Sequence, residues 1–220
     1  MTMRRIVASL FTTVDGVVEA PEKWHFPYFD EEMGAVVASL MRDTQLLGRK
    51  TYEAFAATWP AREAAGGDDA PLATQIGDQR KIVVSRQRLE LTWRNSEQLQ
   101  GDLLEGVTSL KAERGGDIAI SGSVSVIRQL LGAGLVDELH LLVDPIAVRK
   151  GMRLFDEHGA VLPLGLIGAT PLNNGVVHLV YGPIESAPGG TYRAASKAMS
   201  EAGAAGGRVA ATVESAEALR

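Results

Sequence analysis

Residues 118–135 read IAISGSVSVIRQLLGAGL, and this stretch decides the fold class. Ile118, Ala119 and Ile120 are a short apolar run, as a strand covered on both faces requires. Ser121, Gly122 and Ser123 break it. Beyond them Val124, Ile127, Leu130 and Leu131 recur at helical spacing, and Gly132 with Gly134 supplies the stop. A strand leading through glycine into a helix aims several backbone N–H groups and the positive end of the helix dipole at one spot. Such a spot suits a phosphate. Gly122 lacks the spaced glycines of a dinucleotide fingerprint, so taken alone it is equally a bare tight turn.

The chain around this unit has 220 residues and 45% hydrophobic content, enough for one full-sized core and an appendage. Composition puts the division at residues 1–185 and 186–220, the latter rich in Ala, Gly and Ser. A net charge of -5 and a pI near 5.4 argue against nucleic acid or an anionic membrane as partner, since both need a basic surface. The absence of cysteine removes disulfide, thiolate–zinc and cysteine-nucleophile chemistry and fits a reducing compartment. No metal site is expected. The start, MTMRRIVASLFTTVDG, is interrupted by Ser9, Thr12, Thr13 and Asp15, unlike a signal peptide. No run approaches the ~20 apolar residues of a membrane span. A soluble, cytoplasmic protein is the simplest expectation.

Outward from the central unit, strands and helices alternate. Ile6 to Phe11 reads as a buried strand, closed by a turn at Asp15-Gly16. Ala20 to Phe29, with Trp24, His25 and Tyr28, is too broken for a regular element and too aromatic for an idle loop, so it reads as a lid or pocket wall. Met33, Val36, Val37, Leu40 and Met41 form a helical stripe behind Asp30, Glu31 and Glu32. Gln45-Leu46-Leu47 is a strand that enters Gly48-Arg49-Lys50-Thr51, and Tyr52 to Ala57 is helical. Ala61 to Gln79 shows no period and is expected as a surface loop. Lys81 to Arg86 (KIVVSR) is a third buried strand. Leu89 to Arg94 is a candidate strand, and Gly101 to Arg114 a helix with Leu103, Leu104, Val107 and Leu110 inward. Val136 to Pro145 (VDELHLLVDP) is a strand, and Gly165–Pro171 and Val176–Tyr181 form a hairpin through Asn173-Asn174-Gly175. The expected class is α/β, with a mostly parallel sheet, flanking helices and a C-terminal antiparallel hairpin.

Three strands end in residues suited to phosphate: Gly48-Arg49-Lys50-Thr51, Ser85-Arg86 and Gly122-Ser123. Parallel strands would bring all three to one edge. The ordered set LLGRKTYEAF, KIVVSR, ISGSVSVIRQLL and LVDELHLLVDP, across about residues 3 to 183, resembles the dihydrofolate reductase superfamily. It is closest to the branch holding the C-terminal reductase domain of the bifunctional bacterial riboflavin-biosynthesis enzyme. The resemblance implies an NADPH-dependent reductase acting on a C=N or C=O bond of a small pteridine- or pyrimidine-like heterocycle. It implies that Gly48, Arg49, Lys50 and Thr51 meet the pyrophosphate and the 2′-phosphate, and that Ser85 and Arg86 complete the 2′-phosphate pocket. Gly122 and Ser123 match the family's Gly-Gly turn, with Val124 starting the helix behind it, and Asp15 and Gly16 match the loop over the nicotinamide. A homodimer is expected too, as in relatives of this branch, through an apolar edge of the hairpin at Val176, Val177, Leu179 and Val180.

The acid is open between two residues. Counting back from Gly48 along the family pattern lands on Glu32, whereas helical geometry puts Asp30 on the inward face. Either is equally a residue that caps the helix and favours its dipole. His140 and His178 read as packed or edge-exposed. The sequence departs from the family in two places. Gln79, with Arg80 one residue away, stands where true dihydrofolate reductases carry the arginine for the folate tail, which counts against folate. Val148-Arg149-Lys150-Gly151 replaces a glycine-rich turn. The rival reading is a non-catalytic nucleotide-binding or oligomerisation module of the same fold.

Overall fold

A computed structural model describes residues 3–156, 159–184 and Lys197. The appendage assigned to 186–220, Lys197 apart, lies outside the described residues. In chain order the elements are β1 (Ile6–Thr13), α1 (Glu31–Leu40), β2 (Thr44–Gly48), α2 (Arg49–Ala65), α3 (Ala70–Asp78), β3 (Arg80–Val84), β4 (Ser96–Gln98), α4 (Leu103–Ala112), β5 (Ile118–Ser121), α5 (Val124–Gly132), β6 (Glu138–Asp144), β7 (Leu164–Pro171) and β8 (Val177–Pro183). Two 3-10 turns, Pro21–Lys23 and Phe26–Tyr28, occupy the segment between β1 and α1.

The strands form one sheet in the order β4-β3-β2-β5-β1-β6-β8-β7. β4 through β6 are mutually parallel, while β8 runs antiparallel to both β6 and β7. This is the dihydrofolate reductase-like α/β fold. Alternation along β1 shows how the two layers are built. Ile6, Ala8 and Leu10 face a cluster with Val107 and Leu110 of α4 and Ile127 and Leu130 of α5. Val7 and Phe11 turn the other way, toward Met33 and Leu40 of α1. On that second face Leu47 and Val83 meet Tyr52 of α2, Ile76 of α3 and Trp93. With both faces covered, β1, β2, β3 and β5 need near-continuous apolar runs, which explains why their sequences do not alternate.

Several expectations change. The region 61–79 is not a loop: α2 continues through Pro60 to Ala65, and α3 follows. Tyr52 is the one buried residue of α2, so this Ala-rich, solvated helix rests on propensity and has no stripe to read. Leu89 to Arg94 is not a strand. The partner of β3 is the polar segment Ser96–Gln98, an edge strand with no apolar signature, while Leu89, Leu91 and Trp93 pack from an irregular loop. Leu104 is exposed rather than inward, one step off the stripe of Val107 and Leu110. In the hairpin Val176 is fully buried, and the exposed apolar residues are Leu166 and Ile167 on the outer strand β7. Among the described residues no helix is long and apolar enough to cross a membrane.

The edge where the parallel strands begin is held by structural cations. Arg4 is buried, with Nη2 donating to Thr44 Oγ1 at 2.7 Å, and Arg5 pairs with Asp117 and Glu138. Lys81 is the largest fully buried side chain. Its Nζ donates to the carbonyls of Gly77 and Gln79, both at 2.8 Å, and lies 4.2 Å from the centre of the Trp93 ring. Burial lowers its pKa from 10.5 to about 8. Between those values the unfolded chain holds more protons than the folded one, so stability should rise with pH across about 8 to 10.5. Denaturant titrations over that window should show the rise in the wild type and a flatter curve in Lys81→Met.

Candidate functional site

The two strand–glycine–helix junctions, far apart in sequence, meet at the edge where β2 and β5 end. Gly122, at φ 69°, is followed by Ser123 at φ 55°, so two successive residues are left-handed before α5 begins at Val124. For Ser123 this conformation costs roughly 1–2 kcal/mol. Two hydrogen bonds of about 1 kcal/mol each offset that cost. The Ser123 hydroxyl accepts from the Gly48 backbone N–H at 2.9 Å and donates to Thr51 Oγ1 at 3.0 Å.

Because that hydroxyl bridges to α2, it does not cap its own helix. The start of α2 at Gly48 has no side-chain cap either. By contrast, α1 and α4 are capped by Asp30 and Asp102. Two helix N-termini without side-chain caps therefore lie together; in α5 Val126 N–H is taken by Ser123 O, which leaves Val124 and Ser125 N–H to face an anion. The fit is close: a Cβ on Gly48 would come within 3.4 Å of Val126 Cγ2, and one on Gly122 within 3.6 Å of Thr51 Cγ2. Gly48, Thr51, Gly122, Ser123 and Val124 thus lie together in one cradle.

The cations around it differ in engagement. Arg49 forms an exposed i,i+4 pair with Glu53 at 2.9 Å, worth little and readily exchanged for another anion. Lys50 and Arg86 are exposed, and neither makes an ion pair with a described residue. Gly48 and Val84 are register partners, so Arg49-Lys50 and Ser85-Arg86 leave the sheet side by side. The Ser85 hydroxyl accepts from Gln87 N–H at 3.0 Å, which shapes the turn carrying Arg86.

The acidic candidates all hold backbone. Asp15 accepts from the Thr13 hydroxyl and from the N–H groups of Val148 and Arg149, the latter at 2.7 Å; the Thr13 bond is the main cause of a lowered pKa. It therefore ties the loop after β1 to the loop after β6, and the Val148–Gly151 departure is where that tie is made. Gly16, at φ 81°, completes the turn by donating its N–H to Thr13 O. Asp30 caps α1 through Met33 N–H at 2.9 Å, and Glu32 accepts from Asn173 N–H at 2.8 Å, fastening α1 to the hairpin turn. At the opposite edge Gln79 is buried against Gln45, and Arg80 bridges Glu97 and Glu113, so no arginine there is open to a ligand tail.

Two further polar residues of this edge went unremarked as site candidates. His25 and Asp144 are both buried, and His25 Nδ1 lies 3.2 Å from Asp144 Oδ1. The visible signal was a charged residue ending an otherwise apolar strand. His140 and His178 pack on each other, Nδ1 to Nε2 at 2.9 Å, with Glu138 beside them.

The sheet is of the dihydrofolate reductase type, and the starts of α2 and α5 meet at the edge where β2 and β5 end. More particularly, a model of the RibD C-terminal domain family matches residues 4–178, and the chain belongs to that family. It is 29% identical over 182 residues to the uncharacterized protein YyaP of Bacillus subtilis, covering 82% of this chain and 96% of YyaP. It is similar in structure to a Shewanella protein named for riboflavin biosynthesis (TM-score 0.64, 18% identity, 82% of this chain and 99% of that one). A dihydrofolate reductase from Enterococcus faecalis, solved with NADP(H), superposes with a TM-score of 0.55 at 14% identity, over 81% of this chain and 95% of that one.

Removing the bridging hydroxyl in Ser123→Ala leaves its left-handed backbone unsupported. It should lower stability by about 1–2 kcal/mol in chemical denaturation. Asp30→Ala should cost about 1 kcal/mol through the lost cap.

Proposed function

We propose that the protein is an NADPH-dependent reductase that delivers hydride to a C=N or C=O bond of a small pteridine- or pyrimidine-like heterocycle. The observation that carries this reading is the paired cradle: two helix starts without side-chain caps, joined through Ser123, with Lys50 and Arg86 exposed beside them. Family membership supports the reaction class.

In this reading the first-turn N–H groups of α2 and α5 bind the pyrophosphate, and Gly48 and Gly122 let the backbone come close. Lys50, Arg86 and, once released from Glu53, Arg49 bind the 2′-phosphate through charge-assisted hydrogen bonds. The cofactor, when bound, supplies the hydride. The tie between Asp15 and the backbone of Val148 and Arg149 keeps the two loops over the strand ends closed against water. Asp30 and Glu32, already engaged by backbone N–H groups, act by fixing α1 and the hairpin turn around the substrate. The exposed residues Leu166 and Ile167 favour a homodimer formed through β7 rather than β8.

Lys50→Ala and Arg86→Ala should each weaken NADPH binding by about tenfold, the equivalent of one charge-assisted contact partly exposed to solvent. NADH, which lacks the 2′-phosphate, should be affected within about twofold. Fluorescence titration of both cofactors against wild type and variants reads this directly. Equal wild-type affinities for NADPH and NADH would overturn the cofactor assignment. Binding without oxidation of NADPH, across a panel of dihydropterins and aminopyrimidines, would overturn the enzymatic one.

A further inference from the structure

Among the described residues three buried side-chain polar atoms lack a hydrogen-bond partner: Gln45 Oε1, Trp93 Nε1 and His25 Nε2. Only the last belongs to a titratable group, and it lies at the strand-end edge. A buried polar atom left unpaired costs about 1–3 kcal/mol, so a ring kept for packing alone would be better served by phenylalanine. The surroundings make the point sharper. The imidazole stacks on Phe11 with ring centres 3.6 Å apart, and the Trp24, Phe26 and Phe29 rings complete an aromatic sleeve. The one charged group bonded to it is Asp144, fully buried at the end of β6, with Oδ1 at 3.2 Å and Oδ2 at 3.4 Å from Nδ1.

A carboxylate can only accept, so Asp144 makes Nδ1 the donor and leaves the proton-exchanging position at Nε2. Asp144 is the register partner of Thr13, immediately before the Asp15-Gly16 turn. The cradle lies on the other flank of β1, where Ser121 pairs with Ser9. One ligand crossing the end of β1 can therefore touch both. The acidic side chains Asp15, Glu19, Asp30 and Glu32 each already accept from backbone N–H groups.

We propose that His25 is the proton donor of the reduction and Asp144 its positioning residue, an inference that rests on the reductase reading above. Hydride adds to the carbon of the substrate C=N bond, the π electron pair moves to nitrogen, and that nitrogen takes the proton from imidazolium Nε2. Asp144 remains a carboxylate, and solvent returns the proton to His25. The proposal requires the turn Phe26–Tyr28 to move outward so that the buried Nε2 meets the substrate. For a C=O substrate the oxygen takes the same proton.

The test uses the full chain and two readouts. In the first, ¹⁵N-histidine NMR titration without ligand should show His25 in the Nδ1–H tautomer when neutral. In Asp144→Asn, whose amide can also donate, that Nδ1–H preference should be lost. In the second, His25→Gln should bind NADPH within about twofold of wild type. It should lose on the order of 10²-fold or more in turnover, along with the limb of the pH profile that reports the acid. His25→Asn, with folding checked by circular dichroism, serves if the glutamine variant is unstable. An unchanged turnover and pH limb in either folded variant overturns the role of His25. A tautomer unchanged in Asp144→Asn overturns the role of Asp144. A wild type that neither binds nor oxidises NADPH removes the reductase reading instead, and the tautomer measurement still decides whether Asp144 places the His25 proton.

Discussion

One hydroxyl group joins the two halves of the candidate site. Ser123 adopts a left-handed backbone, and its side chain reaches across to the Gly48 N–H and Thr51 Oγ1. Were it to cap α5 instead, as a serine at that position usually would, one helix start would be sealed and the other left unanchored. The bridge does the reverse: it fixes α2 against α5 and leaves both helix starts without a side-chain cap. The rest of the binding surface follows from that choice. Of the two glycines, Gly122 is the one its backbone requires, at φ 69°, whereas a Cβ at Gly48 would only touch Val126 Cγ2 at 3.4 Å.

The two edges of the parallel strands divide their chemistry. Where the strands begin, charge is structural: Arg4, Arg5, Arg80, Lys81 and Lys111 are each bonded to carbonyls or carboxylates that hold strand to helix. Where they end, the acidic groups hold loops while Lys50 and Arg86 stay exposed. An acidic protein can thus present a local anion site, since binding responds to the nearby field and not to the net charge of -5.

At the same edge the His25–Asp144 pair has the opposite character, being dry, enclosed by aromatic rings and incompletely hydrogen-bonded. Cradle and pair flank β1, whose both faces are packed and whose position is set by β5 on one side and β6 on the other.

Much of this was legible in the residues themselves. Apolar runs mark β1, β2, β3, β5 and β6, the i, i+3, i+4 stripes mark α1 and α5, and Asn173-Asn174-Gly175 marks the hairpin, because each reports burial of one local face. The cradle residues could be named from the strand–glycine–helix order together with the family resemblance, since each glycine alone is equally a bare tight turn. Elements with few large apolar residues to bury left no such trace: α2 beyond Ala57 has no buried residue, the inward face of α3 is Ala73, Ile76 and Gly77, and the edge strand β4 is polar. Only the tertiary structure decided the work of the charged side chains: that Asp30 caps, Glu32 and Asp15 tie loops, and Arg49 pairs with Glu53. It also joined His25 to Asp144 across more than half the chain. Local sequence records hydrophobic period and turn chemistry, whereas a hydrogen bond between distant residues exists only once the sheet order has set which strand ends are neighbours.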